Sequence, residues 1–161
     1  MPKILIVSYG NPLRSDDALA LHAADQLEGR YSQNEVEILR LHQLGPELSE
    51  TLSHFDFAIF IDAALPTAEI QPGEIRIREM SAANSLPDSS TRLTHSLSAD
   101  TVVALSGKLY RARPKSFSLT VTGQNFEHGE SLSTAVTAAM PALIARIEGL
   151  VRNFLQDTAS S

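Results

Sequence analysis

Short apolar runs bounded by turn residues recur along the chain, and stretches of helical periodicity separate them. The runs "KILIVS" (3–8), "EVEILRL" (35–41), "FAIFID" (57–62) and "SFSLTVTG" (116–123) predict strands. The first is continuous rather than alternating, which fits a strand buried on both faces, as in a parallel sheet. "EIRIRE" (74–79) alternates and predicts a strand with one wet face. Between them, 16–27 carries a helical stripe of Leu19, Ala23 and Leu27, widened by Ala20 and Ala24. A short helix is predicted over 45–52, with Pro46 in its first turn. Another starts at a cap on Ser96 or Ser98 and runs to about Tyr110, with Val102, Leu105 and Leu109 inward. The last covers 132–155, with Val136, Met140, Leu143, Ile147, Leu150 and Phe154 on one face. Pro141 falls inside it and predicts a kink. Residues 80–94 are polar and read as a mobile stretch, and 156–161 as a frayed tail. No repeat or linker interrupts the pattern, so 1–161 reads as a single domain. Strands alternating with helices predict an α/β, three-layer sandwich: a mostly parallel, twisted sheet of about five strands with helices on both faces.

Composition narrows the class. A chain of 161 residues buries roughly 68–70% of its unfolded surface, so it needs no disulfide or structural metal to fold. It has no cysteine, which excludes a disulfide framework, a thiolate metal site and a cysteine nucleophile. The net charge of −6 and scattered basic residues argue against nucleic acid as a partner. No apolar run approaches the ~20 residues that span a bilayer. The chain is expected to be soluble and cytoplasmic.

Two adjacent carboxylates stand out in "YGNPLRSDDALALHAADQL" (9–27), where the first strand gives way to the first helix. Ligands of open parallel sheets bind at the carboxyl ends of strands. Asp16 and Asp17 follow the first strand, Asp62 closes the third, and His95 precedes a predicted helix. Two carboxylates and an imidazole suit a divalent transition metal. Plainer roles compete. Asp16 fits an N-cap and Asp17 a first-turn acid favoured by the helix dipole. Asp62 fits a turn cap and His95 a surface position. His22, His42, His54 and His128 have no better context and read as structural. G-x-S-x-G, H-E-x-x-H and P-loop motifs are absent.

The block "SYGNPLRSDDALALHAADQL" resembles the opening signature of the hydrogenase maturation proteases, endopeptidases that trim nickel–iron hydrogenase large subunits. "HQLGPELSETL" (42–52), "AIFIDAA" (58–64), "THSLSADTVVAL" (94–105) and "VTGQNFEHGESLSTAV" (121–136) resemble further family blocks in the family's order. The likeness thus extends over nearly the whole chain, and its "HQL-PEL" block is similar to the branch linked to bidirectional hydrogenases. The resemblance implies that Asp17, Asp62 and His95 contact nickel. It implies an endopeptidase with no tightly bound cofactor of its own, which recognises nickel carried by a large-subunit precursor and removes that precursor's C-terminal extension. Family members usually have glycines in "DDGxG"; here Ala18 and Ala20 replace them, which could narrow the pocket or weaken activity. Two other readings remain: a docking factor for the same precursor that does not cut, and an unrelated small α/β metal-dependent hydrolase. The hydrolytic base is open between a metal-activated water and a carboxylate such as Asp16.

Overall fold

Successive side chains of a strand leave on opposite faces of a sheet, and in β1 (Ile4–Tyr9) both faces are dry. Ile4 and Ile6 pack with α1 (Leu19–Leu27) and α4 (Thr134–Asp157), while Leu5 and Val7 pack with α2 (Leu48–Leu52) and α3 (Ala99–Tyr110). β3 (Phe57–Ala64) divides the same way: Phe57, Ile59 and Ile61 to one side, Ala58 and Phe60 to the other. This double burial is why the first and third runs are continuously apolar. With β2 (Val36–Leu41), β4 (Ile75–Met80) and β5 (Lys115–Thr122), they form one sheet in the order β2-β1-β3-β5-β4. All neighbours are parallel except β4, which runs antiparallel to β5 at one edge. The computed structural model describes residues 3–80 and 97–157. The predicted α/β three-layer arrangement, with helices on both faces, is the one observed.

The strand order creates a crevice. From β1 the chain passes through α1 to β2 on one side, and then returns across β1 to place β3 on the other. Connections that diverge from neighbouring parallel strands leave an opening at their carboxyl ends. Pairing of β1 with β3 stops at Ser8↔Ile61, whereas pairing of β3 with β5 continues through Asp62↔Thr120 to Ala64↔Thr122. Asp62 therefore does not end its strand, as the sequence suggested. It is the first β3 residue without a β1 partner.

Other expectations need correction. The first helix opens with a 3-10 turn at Ser15–Ala18 and becomes α-helical only at Leu19. α2 is confined to Leu48–Leu52, because 45–47 form the turn that leads into it. β4 exposes Arg76 through Glu79 rather than one alternate face, since it is an edge strand with a single neighbour. Ser98 caps α3 by accepting the Thr101 N–H at 3.2 Å. Leu109, expected inward, is exposed, because the buried stripe of α3 runs through Val102, Val103 and Ser106. α4 continues past the expected tail boundary to Asp157 and contains Pro141. Its length and composition (mean hydropathy 1.4 over its most apolar window) would suit a membrane span. Val136, Met140, Leu143, Ile147 and Phe154 instead pack on the sheet. The expected mobile stretch beyond Met80 and the last four residues of the expected tail lie outside the described residues.

Gly10 fixes how β1 meets the 3-10 turn. Its φ is +155°, and a Cβ there would lie 1.9 Å from the backbone oxygen of Asp17. Only a residue without a side chain admits that approach. Gly10→Ala is expected to lower stability by about 2 kcal/mol or more, read as a lower urea midpoint, and to displace Asp17.

Candidate active site

A cleft of about 690 Å³ opens at the carboxyl ends of β1 and β3. Asp17 enters it from the 3-10 turn and Asp62 from β3. Of the four candidate residues, these two are brought together on the cleft wall. His95 lies outside the described residues. Among the described residues, no three His, Asp or Glu side chains gather as a metal cage.

Asp17 accepts the Asn11 N–H through Oδ2 at 2.8 Å, which holds its carboxylate against the β1–α1 loop. Asp62 accepts the Ala63 N–H through Oδ1 at 2.7 Å. Burial pushes the Asp62 carboxyl up to about 6. The Ala63 N–H and the Tyr9 hydroxyl oppose that rise, and the negative charge of Asp17 adds to it. Burial, followed by the charge of Asp62, pushes the Tyr9 hydroxyl well above its ordinary value. Tyr9 therefore stays protonated and donates to Asp62. Behind Tyr9, Arg78 and Asp100 form a two-bond ion pair at 2.7 and 3.0 Å, also on the cleft wall.

Asp16 does not act as the helix cap expected of it. It caps neither the 3-10 turn nor α1. The first N–H groups there already have partners across the molecule: Ser15 N–H donates to Gly129 O and Asp16 N–H to Asn125 O, both at 2.9 Å. The Asp16 carboxylate is 0% exposed and accepts three N–H groups from the far loop. Oδ2 takes those of Gln124 (2.7 Å) and Asn125 (2.9 Å), and Oδ1 takes that of Ser133 (2.8 Å), just before α4. Burial alone would raise its proton affinity, but the bonds from Ser133, Asn125 and Gln124 outweigh it and hold the carboxyl below the ordinary value. Buried and held below its ordinary value by these donors, this carboxylate is a poor proton acceptor. Ala18 and Ala20 are buried, and neither lines the cleft. Ala20 packs in the core beneath α1 and α4. The methyl groups that replace the family's glycines therefore do not narrow the pocket.

Sequence reasoning passed over Tyr9, Arg14 and the Arg78–Asp100 pair and read His42 as structural; all of them line the cleft. His42 follows β2 directly, so the strand-end rule that singled out Asp62 would have found it. Tyr9 ends β1 and was open to the same rule. The Arg78–Asp100 pair joins two elements across the sheet edge and leaves no local signal.

Asp16 and Asp62 affect stability in opposite pH ranges. Asp16→Ala strands three N–H groups and is expected to cost about 3–5 kcal/mol in urea unfolding. The wild-type contribution of Asp16, a depressed carboxyl, is present above its unfolded value of 3.8 and lost as pH falls through its folded value. Asp62 is raised, so its contribution is full below 3.8 and lost as pH rises through about 6. Asp62→Asn should therefore be more stable than wild type at pH 8, by up to about 3 kcal/mol. The difference should fall to about 0.5 kcal/mol at pH 4 and vanish near pH 3. Equal stability of the two proteins at all these pH values would contradict the raised proton affinity.

No family model and no curated protein sequence matches the chain. Solved structures do. The chain is similar to the hydrogenase maturating endopeptidase HybD from E. coli, with 23% identity over 94% of this chain and 93% of that one and a TM-score of 0.73. An endopeptidase from Escherichia coli solved in solution aligns with the same identity and coverage at a TM-score of 0.74. The [NiFe] hydrogenase maturation protease HycI from Thermococcus kodakarensis KOD1 aligns at 19% identity over 94% and 93% of the two chains, with a TM-score of 0.72. The chain has the fold of the hydrogenase maturation endopeptidases.

Proposed function

We propose that this chain is an endopeptidase that removes the C-terminal extension of a nickel-loaded nickel–iron hydrogenase large-subunit precursor. The observation that carries this reading is the pair Asp17 and Asp62 on one cleft at the β1–β3 crevice, in a fold shared with endopeptidases of that kind. In this reading nickel is cargo of the substrate. Asp17, Asp62 and His95 complete its shell when the precursor docks, so cleavage is licensed only after nickel insertion. Among the described residues Asp17 Oδ1 has no hydrogen-bond partner, which leaves it available to an incoming cation. An exposed apolar side chain at the cleft, Leu65 at 70% exposure, suits a protein substrate. We place the reaction in the cytoplasm, a compartment compatible with a cysteine-free chain.

Peptide hydrolysis needs a base to take a proton from the attacking water and return it to the leaving amine. Two routes can meet that need: a water polarised by the substrate's nickel, or the Asp62 carboxylate, whose raised value near 6 describes the cleft before a cation arrives. Asp16 is disfavoured, because three N–H donors hold its carboxyl below the ordinary value.

The test is incubation with nickel-loaded and nickel-free precursor, followed by mass measurement of the C-terminus. The loaded form is expected to lose its extension and the nickel-free form to remain intact. Chelator pretreatment of the protease alone should leave the rate unchanged. Asp17→Asn and Asp62→Asn should fold but process at least ~100-fold more slowly, and His95→Ala should impair recognition of the loaded precursor. Equal cleavage of both forms would leave an ordinary peptidase. Binding without cleavage would leave a docking factor.

A further inference from the structure

Among the described residues two arginines line the cleft, and they are in different states. Arg78 is neutralised by Asp100. Arg14 is exposed, and its guanidinium makes no ion pair or hydrogen bond with any described residue, Asp17 and Asp62 included. The backbone that carries it is the opposite of loose. Gly129 N–H donates to Leu13 O at 2.8 Å, Ser15 N–H to Gly129 O at 2.9 Å and Ser15 Oγ to Glu127 O at 2.8 Å. Arg14 itself bridges to Gly129. Ser15 is held at φ +50°, a left-handed conformation that costs a non-glycine residue free energy and persists only where its surroundings impose it. Gly129 faces Ser15 so closely that a Cβ would lie 3.0 Å from Ser15 Oγ. The fold thus fixes the base of Arg14 and leaves its charged end without a partner among the described residues at the mouth of the cleft.

We propose that Arg14 is a specificity-determining residue that receives a carboxylate side chain of the peptide segment bound in the cleft. The planar guanidinium fork matches a carboxylate through two parallel hydrogen bonds. The chain's net charge of −6 and the two cleft aspartates would otherwise repel an acidic segment, so a cation with no partner among the described residues marks where one is admitted. This inference rests on reading the cleft as a peptide-processing site.

The test uses the full chain, labelled with ¹⁵N and titrated by NMR with acetyl-Leu-Glu-Leu-amide and acetyl-Leu-Gln-Leu-amide. The glutamate peptide is expected to bind about tenfold more tightly. The preference should disappear in Arg14→Gln and be partly kept in Arg14→Lys, which retains charge without the fork. In the processing assay, Arg14→Gln should raise KM for the loaded precursor about tenfold while kcat is retained. Equal binding of the two peptides, no binding of either, or a preference that survives in Arg14→Gln would overturn the proposal. If wild type cuts no precursor yet prefers the glutamate peptide through Arg14, the protease reading fails and the Arg14 site stands. If precursor is cut but Arg14→Gln changes neither peptide preference nor KM, the site fails and the protease reading stands.

Discussion

The Asp16 carboxylate is the tie on which the cleft depends. It is buried, charged, and bonded to three backbone N–H groups that lie 108, 109 and 117 residues further along the chain. An ionised carboxylate taken out of water is stable only when such donors replace its hydration. The relation is mutual, because the loop after β5 returns the carbonyls of Asn125 and Gly129 to the N–H groups of Asp16 and Ser15. Each of the two loops thus supplies partners the other lacks. Together they place Asp17, Arg14 and Phe126 around one opening. Asp16 thereby holds together the loops that carry the cleft.

How much of this the chain announces depends on how local each cause is. The strands were legible, because Ile4 to Val7 and Phe57 to Ile61 are buried on both faces and leave unbroken apolar runs. β4 was located but its exposure was not, since a strand's pattern does not tell whether it lies at an edge. The acid pair was visible as a pair, yet Asp16 looked like a local cap. Adjacency in sequence carries no information about N–H groups more than a hundred residues away. Asp62 could be found from its place near a strand end. Its separation from β1, which makes it accessible, follows from the strand order and not from the sequence pattern. The roles of Ala18 and Ala20 were invisible for a related reason. Which way a methyl points off the start of α1 is set by the 3-10 turn and by packing against α4.

The crevice itself follows from topology. A parallel sheet grown in one direction from β1 would cover each strand end with the next connection. Here α1 leads away on one face and the chain returns to place β3 on the other side of β1. The gap between the departing connections is filled by polar side chains from β1, the 3-10 turn and β3. Function-bearing residues can therefore be far apart in sequence while the scaffold beneath them stays rigid. The close approach of Gly10 to Asp17 is the local expression of that constraint, since the chain must turn abruptly out of β1 to enter α1.

The electrostatics of the opening also favour one kind of visitor. Asp62 is raised to about 6 by burial and by the charge of Asp17, so its ionised form is held at a free-energy cost near neutral pH. Tyr9 offsets part of that cost by donating to Asp62. Neither Arg78, committed to Asp100, nor Arg14, which makes no ion pair with a described residue, neutralises the two aspartates. A cation brought to this spot would relieve the repulsion between Asp17 and Asp62 and replace lost hydration. A partner arriving without a cation would meet the repulsion intact. In the proposed reaction, discrimination between loaded and unloaded precursor then needs no moving part. It follows from two carboxylates placed close enough to disfavour each other and left, among the described residues, without a neutralising cation.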